Sequence, residues 1–173
     1  MGDSMIAERR LTRRRLLSAA GAAATGALVA IPSPARADGS QEIVGSWSAT
    51  VTVTMPPLGS FASLLSFHAD GTLVESRRLF LADSPFGPVL ETGGHGAWER
   101  TGPGRYDAFF RFLLQQAPPS AGVPVGMDDV ALQLETNASG VLGGTFLSTI
   151  TDTEGHAVFT AGGTVAAERI EAQ

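Results

Sequence analysis

From residue 43 onward the apolar residues recur at every second position, in short segments parted by Gly, Pro, Asp and Asn, and no segment carries a helical stripe. Trp47, Ala49, Val51 and Val53 fall on one face, with Ser46, Ser48, Thr50, Thr52 and Thr54 on the other. That is a strand with one face buried and one face wet. The same period predicts strands at about 43–54, 61–67, 72–80, 94–100, 105–114, 130–136, 141–151 and 157–169. Eight antiparallel strands, the last two rich in Gly, suit a sheet that curls until its edges meet. The expected fold is therefore all-β, an eight-stranded antiparallel up-and-down barrel. A flattened two-sheet sandwich is the competing arrangement.

The connections give such a barrel two unlike ends. The turns at His68-Ala69-Asp70-Gly71, Thr101-Gly102-Pro103-Gly104 and Asn137-Ala138-Ser139-Gly140 are short and share one end. The other end collects Met55 to Ser60, about 81–93, about 115–129 and Asp152-Thr153-Glu154-Gly155. Two of these are long and carry Pro85, Pro88, Pro118, Pro119 and Pro124. One end is expected closed, the other rimmed by long loops.

Ahead of the strands, Thr12-Arg13-Arg14-Arg15-Leu16-Leu17 leads into an Ala/Gly-rich apolar run and then Pro34-Ala35-Arg36-Ala37. A basic stretch, a moderately apolar stretch and a small-x-small site resemble a signal peptide of the twin-arginine class. The resemblance implies a cleaved segment at 1–37, a single domain at 38–173, and a protein that is secreted or associated with the cell wall. No membrane span would remain after cleavage. Removing residues 1–37 takes away half of the twelve Arg but only Asp3 and Glu8 among the acids, leaving a net charge of about −9. Such a surface repels phosphate backbones, which argues against nucleic acid as a partner. There is no Lys, which excludes a Schiff-base or phosphate-loop lysine, and no Cys, which excludes disulfides and thiolate metal sites.

Gly45-Ser46-Trp47 at the start of the first strand, with Arg169 late on the last, resembles the lipocalin and calycin group. The resemblance implies that Arg169 packs over the Trp47 ring at the closed end, with Trp98 nearby in the same floor. It also implies a small hydrophobic molecule as ligand, held inside the barrel. The disulfides usual in that family are absent.

Taking the apolar parity of each strand, the expected cavity wall is Val51, Val53, Phe61, Leu65, Phe67, Phe110, Phe112, Leu132 and Leu134, with Ala49, Val130 and Val158 facing the same way. These side chains either line a ligand cavity or meet and fill the barrel. Arg77, Arg78 and Arg111 lie among apolar residues. Each either turns inward toward a ligand or lies outside, paired with Glu75 or Asp107. Asp128-Asp129 reads as solvated charge on the rim. His68, His95 and His156 lack a neighbouring carboxylate in the spacing of a metal site, and no nucleophile elbow or zinc-protease motif appears. No catalytic residue, metal or cofactor is expected. Phe109-Phe110-Arg111-Phe112-Leu113-Leu114 is apolar on both faces, so the outer face needs a cover, for which a homodimer through 105–114 is one candidate. The competing functions are a barrel cyclase or isomerase acting on a polyene or polyketide-like substrate, and a secreted interaction protein with a filled barrel.

Overall fold

The computed structural model describes residues 43–171 apart from 79 and 121. The expected export segment at 1–37 lies outside the described residues. Ten strands follow one another: β1 (Gly45–Met55), β2 (Pro57–Phe67), β3 (Thr72–Arg77), β4 (Phe80–Ser84), β5 (Gly87–Glu91), β6 (Gly94–Gly102), β7 (Arg105–Gln116), β8 (Pro124–Thr136), β9 (Leu142–Asp152) and β10 (Ala157–Arg169). Every ladder is antiparallel, and the order β7-β6-β3-β2-β1-β10-β9-β8 returns to β7 through the β7–β8 pairing. Eight strands thus close a barrel, and neither edge is left unpaired.

The remaining two strands correct the sequence reading. The stretch 81–93, expected as a loose loop, forms a hairpin of β4 and β5. Val89, Leu90 and Glu91 of β5 extend the β7 ladder opposite Gln116, Gln115 and Leu114, beyond the point where His95 of β6 stands opposite Arg111. Pro85 and Pro88 made this stretch look irregular, yet both are accommodated. Pro85 falls in the turn, where Ser84 Oγ donates to Gly87 O and Gly87 takes a φ of 77°. Pro88 joins the sheet through its carbonyl, which accepts from Ala117 N at 3.1 Å.

The expected loop at 115–129 shrinks in the same way, because β8 begins at Pro124 and carries Asp128 and Asp129 within the sheet. The loop expected between Met55 and Ser60 is likewise mostly strand. Val158 is 42% exposed rather than inward, because the buried positions Ala161, Val165 and Ala167 of β10 give it the opposite parity.

Inward residues form three layers. The floor holds Ile43, Trp47, Phe67, Leu73, Leu134 and Leu142, all fully buried. Trp47 Nε1 donates to Ile43 O at 2.8 Å, and the Arg169 guanidinium lies 4.5 Å from the Trp47 ring centroid, as the resemblance implied. Gly45 has a φ of 134°, and a Cβ there would run into that guanidinium. Trp98 stands edge-on to Phe67 and Tyr106 and donates to His68 O at 3.0 Å. At the opposite end Val89, Leu114 and Ile150 are buried together, with Leu81, Phe86, Val125 and Phe159 packed on them. The β4–β5 hairpin thereby covers part of the mouth.

Candidate functional site

Between the two apolar layers the barrel is crossed by a polar one. Strand alternation forces it. Glu75 and Arg77 have the parity of buried Leu73 on β3, Asp128 that of Val130 on β8, Glu91 that of Val89 on β5, and Ser148 that of Ile150 on β9. Each side chain therefore points into the barrel, and Ser63, Glu75, Glu91, Asp128 and Ser148 are buried.

Arg77 ties this layer together. Its Nε donates to Glu91 Oε2 at 2.9 Å and its Nη2 to Glu91 Oε1 at 2.8 Å, a two-pronged pair. The same Nη2 donates to Asp128 Oδ2 at 2.9 Å. The guanidinium also lies 4.1 Å from the Phe112 ring centroid and 5.5 Å from that of Phe61. Burial disfavours its charge, but Glu91 and Asp128 outweigh burial and hold it protonated. For Glu91 the balance reverses: burial pushes the carboxyl above its ordinary range against the pull of Arg77. Asp128 is further held by Ser148, whose hydroxyl donates to Oδ1 at 2.6 Å.

Glu75 stands apart from this pairing. Ser63 donates to its Oε1, while Oε2 is buried and has no hydrogen-bond partner among the described residues. Burial pushes its carboxyl up to about 7, opposed by the Ser63 hydrogen bond and by Arg77. Glu75 lines an interior cavity of about 30 Å³, shared with Ser63, Arg77, Ser148, Phe61, Phe110 and Phe146. That is enough room for a water-sized group.

The cavity settles which expected wall residues meet. Val51, Phe61, Leu65, Phe110 and Leu132 line it. Phe67 and Leu134 belong to the floor, Phe112 lies beneath Arg77, and Val53 is buried at 9% exposure without lining the cavity. Val51, Phe61 and Phe146 keep part of their surface accessible although they face inward.

Two sequence expectations are corrected here. Asp128 is 3% exposed and is no solvated rim charge, because Arg77 and Ser148 draw it inward. Arg77 is not an outer-face partner of Glu75, since both side chains enter the barrel. Arg111 does lie outside, but pairs with Asp129, its Nη2 donating at 2.7 Å. The polar layer was only partly within reach of the sequence. Parity on the expected strand 72–80 places Glu75 and Arg77 with Leu73, whereas Glu91 and Asp128 fall in stretches expected as loops, where alternation gives no direction.

The outside of the barrel offers two further features. Phe109 and Leu113 are 46% and 50% exposed, with Leu147 at 49% on the same face, reached from Phe109 through Ala131. A depression of about 780 Å³, open to solvent, runs near the closed end along β7, β8 and β9, where Gly143 and Gly144 keep the surface low. It lies far along the barrel from the ionisable layer and contains no buried unpaired polar atom among the described residues. Among the described residues no cluster of His, Cys, Asp or Glu is arranged to hold a metal ion, and no helix is long and apolar enough to cross a membrane. Comparison with known proteins returned no match, since no family model, no curated protein and no solved structure is significantly similar to this chain.

Proposed function

We propose that this barrel binds a small, largely apolar molecule through its mouth and anchors one polar group of that molecule on Glu75. The observation that carries the reading is the Glu75 carboxyl, 2% exposed, with one oxygen unpartnered beside an interior cavity. A barrel that served only as a scaffold would be better served there by hydrocarbon, because burying a carboxyl without a full set of partners costs free energy. Strongly perturbed groups beside a cavity mark candidate functional sites. The aromatic rings around Glu75 supply an apolar wall, and the accessible faces of Val51, Phe61 and Phe146 supply a way in.

The size of the cavity refines the ligand. About 30 Å³ is enough for a small polar head group. The body of the ligand then lies nearer the mouth, between the exposed faces of Val51 and Phe61. A polyene cyclase would need an enclosed space of a few hundred Å³, which weighs against that reading. Export through the twin-arginine route is part of the proposal and rests on residues 12–37 alone. Native mass spectrometry of protein recovered from the culture medium, followed by organic extraction, tests both points. A bound small molecule near one per chain supports the reading. An empty chain that also fails to shift in melting temperature against a panel of small apolar compounds removes it.

A second reading concerns the outer face of β7. Phe109, Leu113 and Leu147 lie side by side and half exposed, and a second copy of the chain would cover them.

A further inference from the structure

The geometry points to a primary amine, in its protonated form, as the polar group that this cavity accepts. The inference rests on the ligand site proposed above and goes beyond it by naming the head group.

The charge balance of the layer carries the argument first. The groups facing Glu75 are Arg77 from its own strand, Glu91 from β5 and Asp128 from β8, with only the hydroxyls of Ser63 on β2 and Ser148 on β9 beside them. No titratable group of β1, β6, β7, β9 or β10 is buried in this layer among the described residues. One guanidinium thus stands against three carboxyl groups, and its donors to Glu91 and Asp128 are already committed at 2.8–2.9 Å. A second cation would lessen that excess of acids where an anion would add to it.

The lining of the cavity carries the argument next. Glu75, Ser63 and Ser148 all bring oxygen acceptors to its wall, matching the three N–H donors of an ammonium. Phe61, Phe110 and Phe146 bring aromatic rings, whose faces attract cations. A carboxylate or phosphate head has no hydrogen to offer Oε2 and would set a further anion beside three carboxyl groups. A quaternary ammonium likewise has no N–H for Oε2. The head group that satisfies size, charge and hydrogen bonding together is –NH₃⁺ on an apolar tail.

Because the Glu75 carboxyl is raised to about 7, an ammonium meets a largely protonated acid at pH 6 and a carboxylate at pH 8. Binding of the cation should therefore strengthen with pH across that interval and release a proton at the lower end.

Calorimetric titration of the full chain with n-hexylamine, n-hexanol, hexanoate and hexyltrimethylammonium, at pH 6 and pH 8, tests the inference. The expected result is binding of hexylamine at pH 8 that exceeds hexanol by about tenfold or more and weakens by about tenfold at pH 6. Hexanoate and the quaternary amine should bind more weakly than hexanol. In Glu75→Gln the preference for amine over alcohol should vanish while hexanol binding persists. If that variant does not fold, the pH dependence of the natural chain and proton release measured in two buffers decide the question. Hexanol binding as tightly as hexylamine at pH 8 would overturn the amine and leave the ligand site standing. If no member of the series binds, the ligand site itself is overturned.

Discussion

The two halves of this barrel are built from the same alternation and filled in opposite ways. Among the described residues the inward positions at the closed end are hydrocarbon or aromatic, and Arg169 sits over the Trp47 ring with its Nη1 donating to Val44 O at 2.7 Å. Toward the mouth the inward positions of β3, β5 and β8 are Glu75, Arg77, Glu91 and Asp128. The floor gains free energy from nearly every side chain it buries. The polar layer gives up hydration on four ionisable groups and recovers it only through Arg77 and two serines. The contrast separates the part of the molecule that makes it fold from the part that costs it stability.

The most damaging single change should be Trp47→Ala. The ring is fully buried and holds both the Ile43 carbonyl and the Arg169 guanidinium, so about 5 kcal/mol should be lost in denaturant unfolding. A loss under about 2 kcal/mol would mean that the floor is not the folding core. Arg77→Met comes next, at about 3–4 kcal/mol, because Glu91 and Asp128 are left buried without their cation. The triple change Arg77→Met, Glu91→Leu and Asp128→Leu should recover most of that loss. If the triple variant is instead as unstable as the single one, the layer is a structural requirement, and the division between the two halves fails.

Glu75→Gln sharpens the same contrast through pH. The folded-state value of about 7 lies above the ordinary 4.5, so the native state binds the proton more tightly than the unfolded chain does. Stability contributed by this group is present below about 4.5 and is lost as pH rises through about 7. The natural protein should therefore weaken by up to about 3 kcal/mol between pH 4.5 and pH 8 relative to the variant. The two should have equal stability near pH 4. Parallel curves of unfolding free energy against pH would show that Glu75 titrates alike in the native and unfolded states, which would overturn its raised value.

How much of this could be read from the residues follows from which physical rule governs each region. Alternation alone gave the eight barrel strands and the closed end, and Gly45-Ser46-Trp47 with Arg169 gave the contact at the floor. The β4–β5 hairpin was hidden because Pro85 and Pro88 remove donors that a central strand would need, whereas an outlying hairpin does without them. The polar layer was hidden for a different reason. Parity points Glu75 and Arg77 inward against the usual outward preference of charge, whereas Asp128 lies in the stretch 115–129, expected as a loop, where parity gives no answer. Side-chain direction is fixed by the backbone, while the cost of burial is offset by partners from distant strands. Among the wall residues, those that line the cavity and those that only fill the floor share one parity and one chemistry. Nothing in the sequence separates Leu132 from Leu134.

The smallest expected effect on folding tests the outer face of the strand whose inner face is the core. On β7, Phe110 and Phe112 are buried, whereas Phe109 and Leu113 are about half exposed. Leu113→Asp should change unfolding free energy by no more than about 0.5 kcal/mol, because the side chain faces solvent in the single chain. Its effect should fall on association instead. Sedimentation of the natural protein should give the mass of two chains, and the variant the mass of one. The Arg111–Asp129 pair, lying between Phe109 and Leu113 along the strand, is part of the same outer face. A natural protein that sediments as a single chain at all accessible concentrations would leave that face without a second copy to cover it, and would return the whole functional argument to the interior around Glu75.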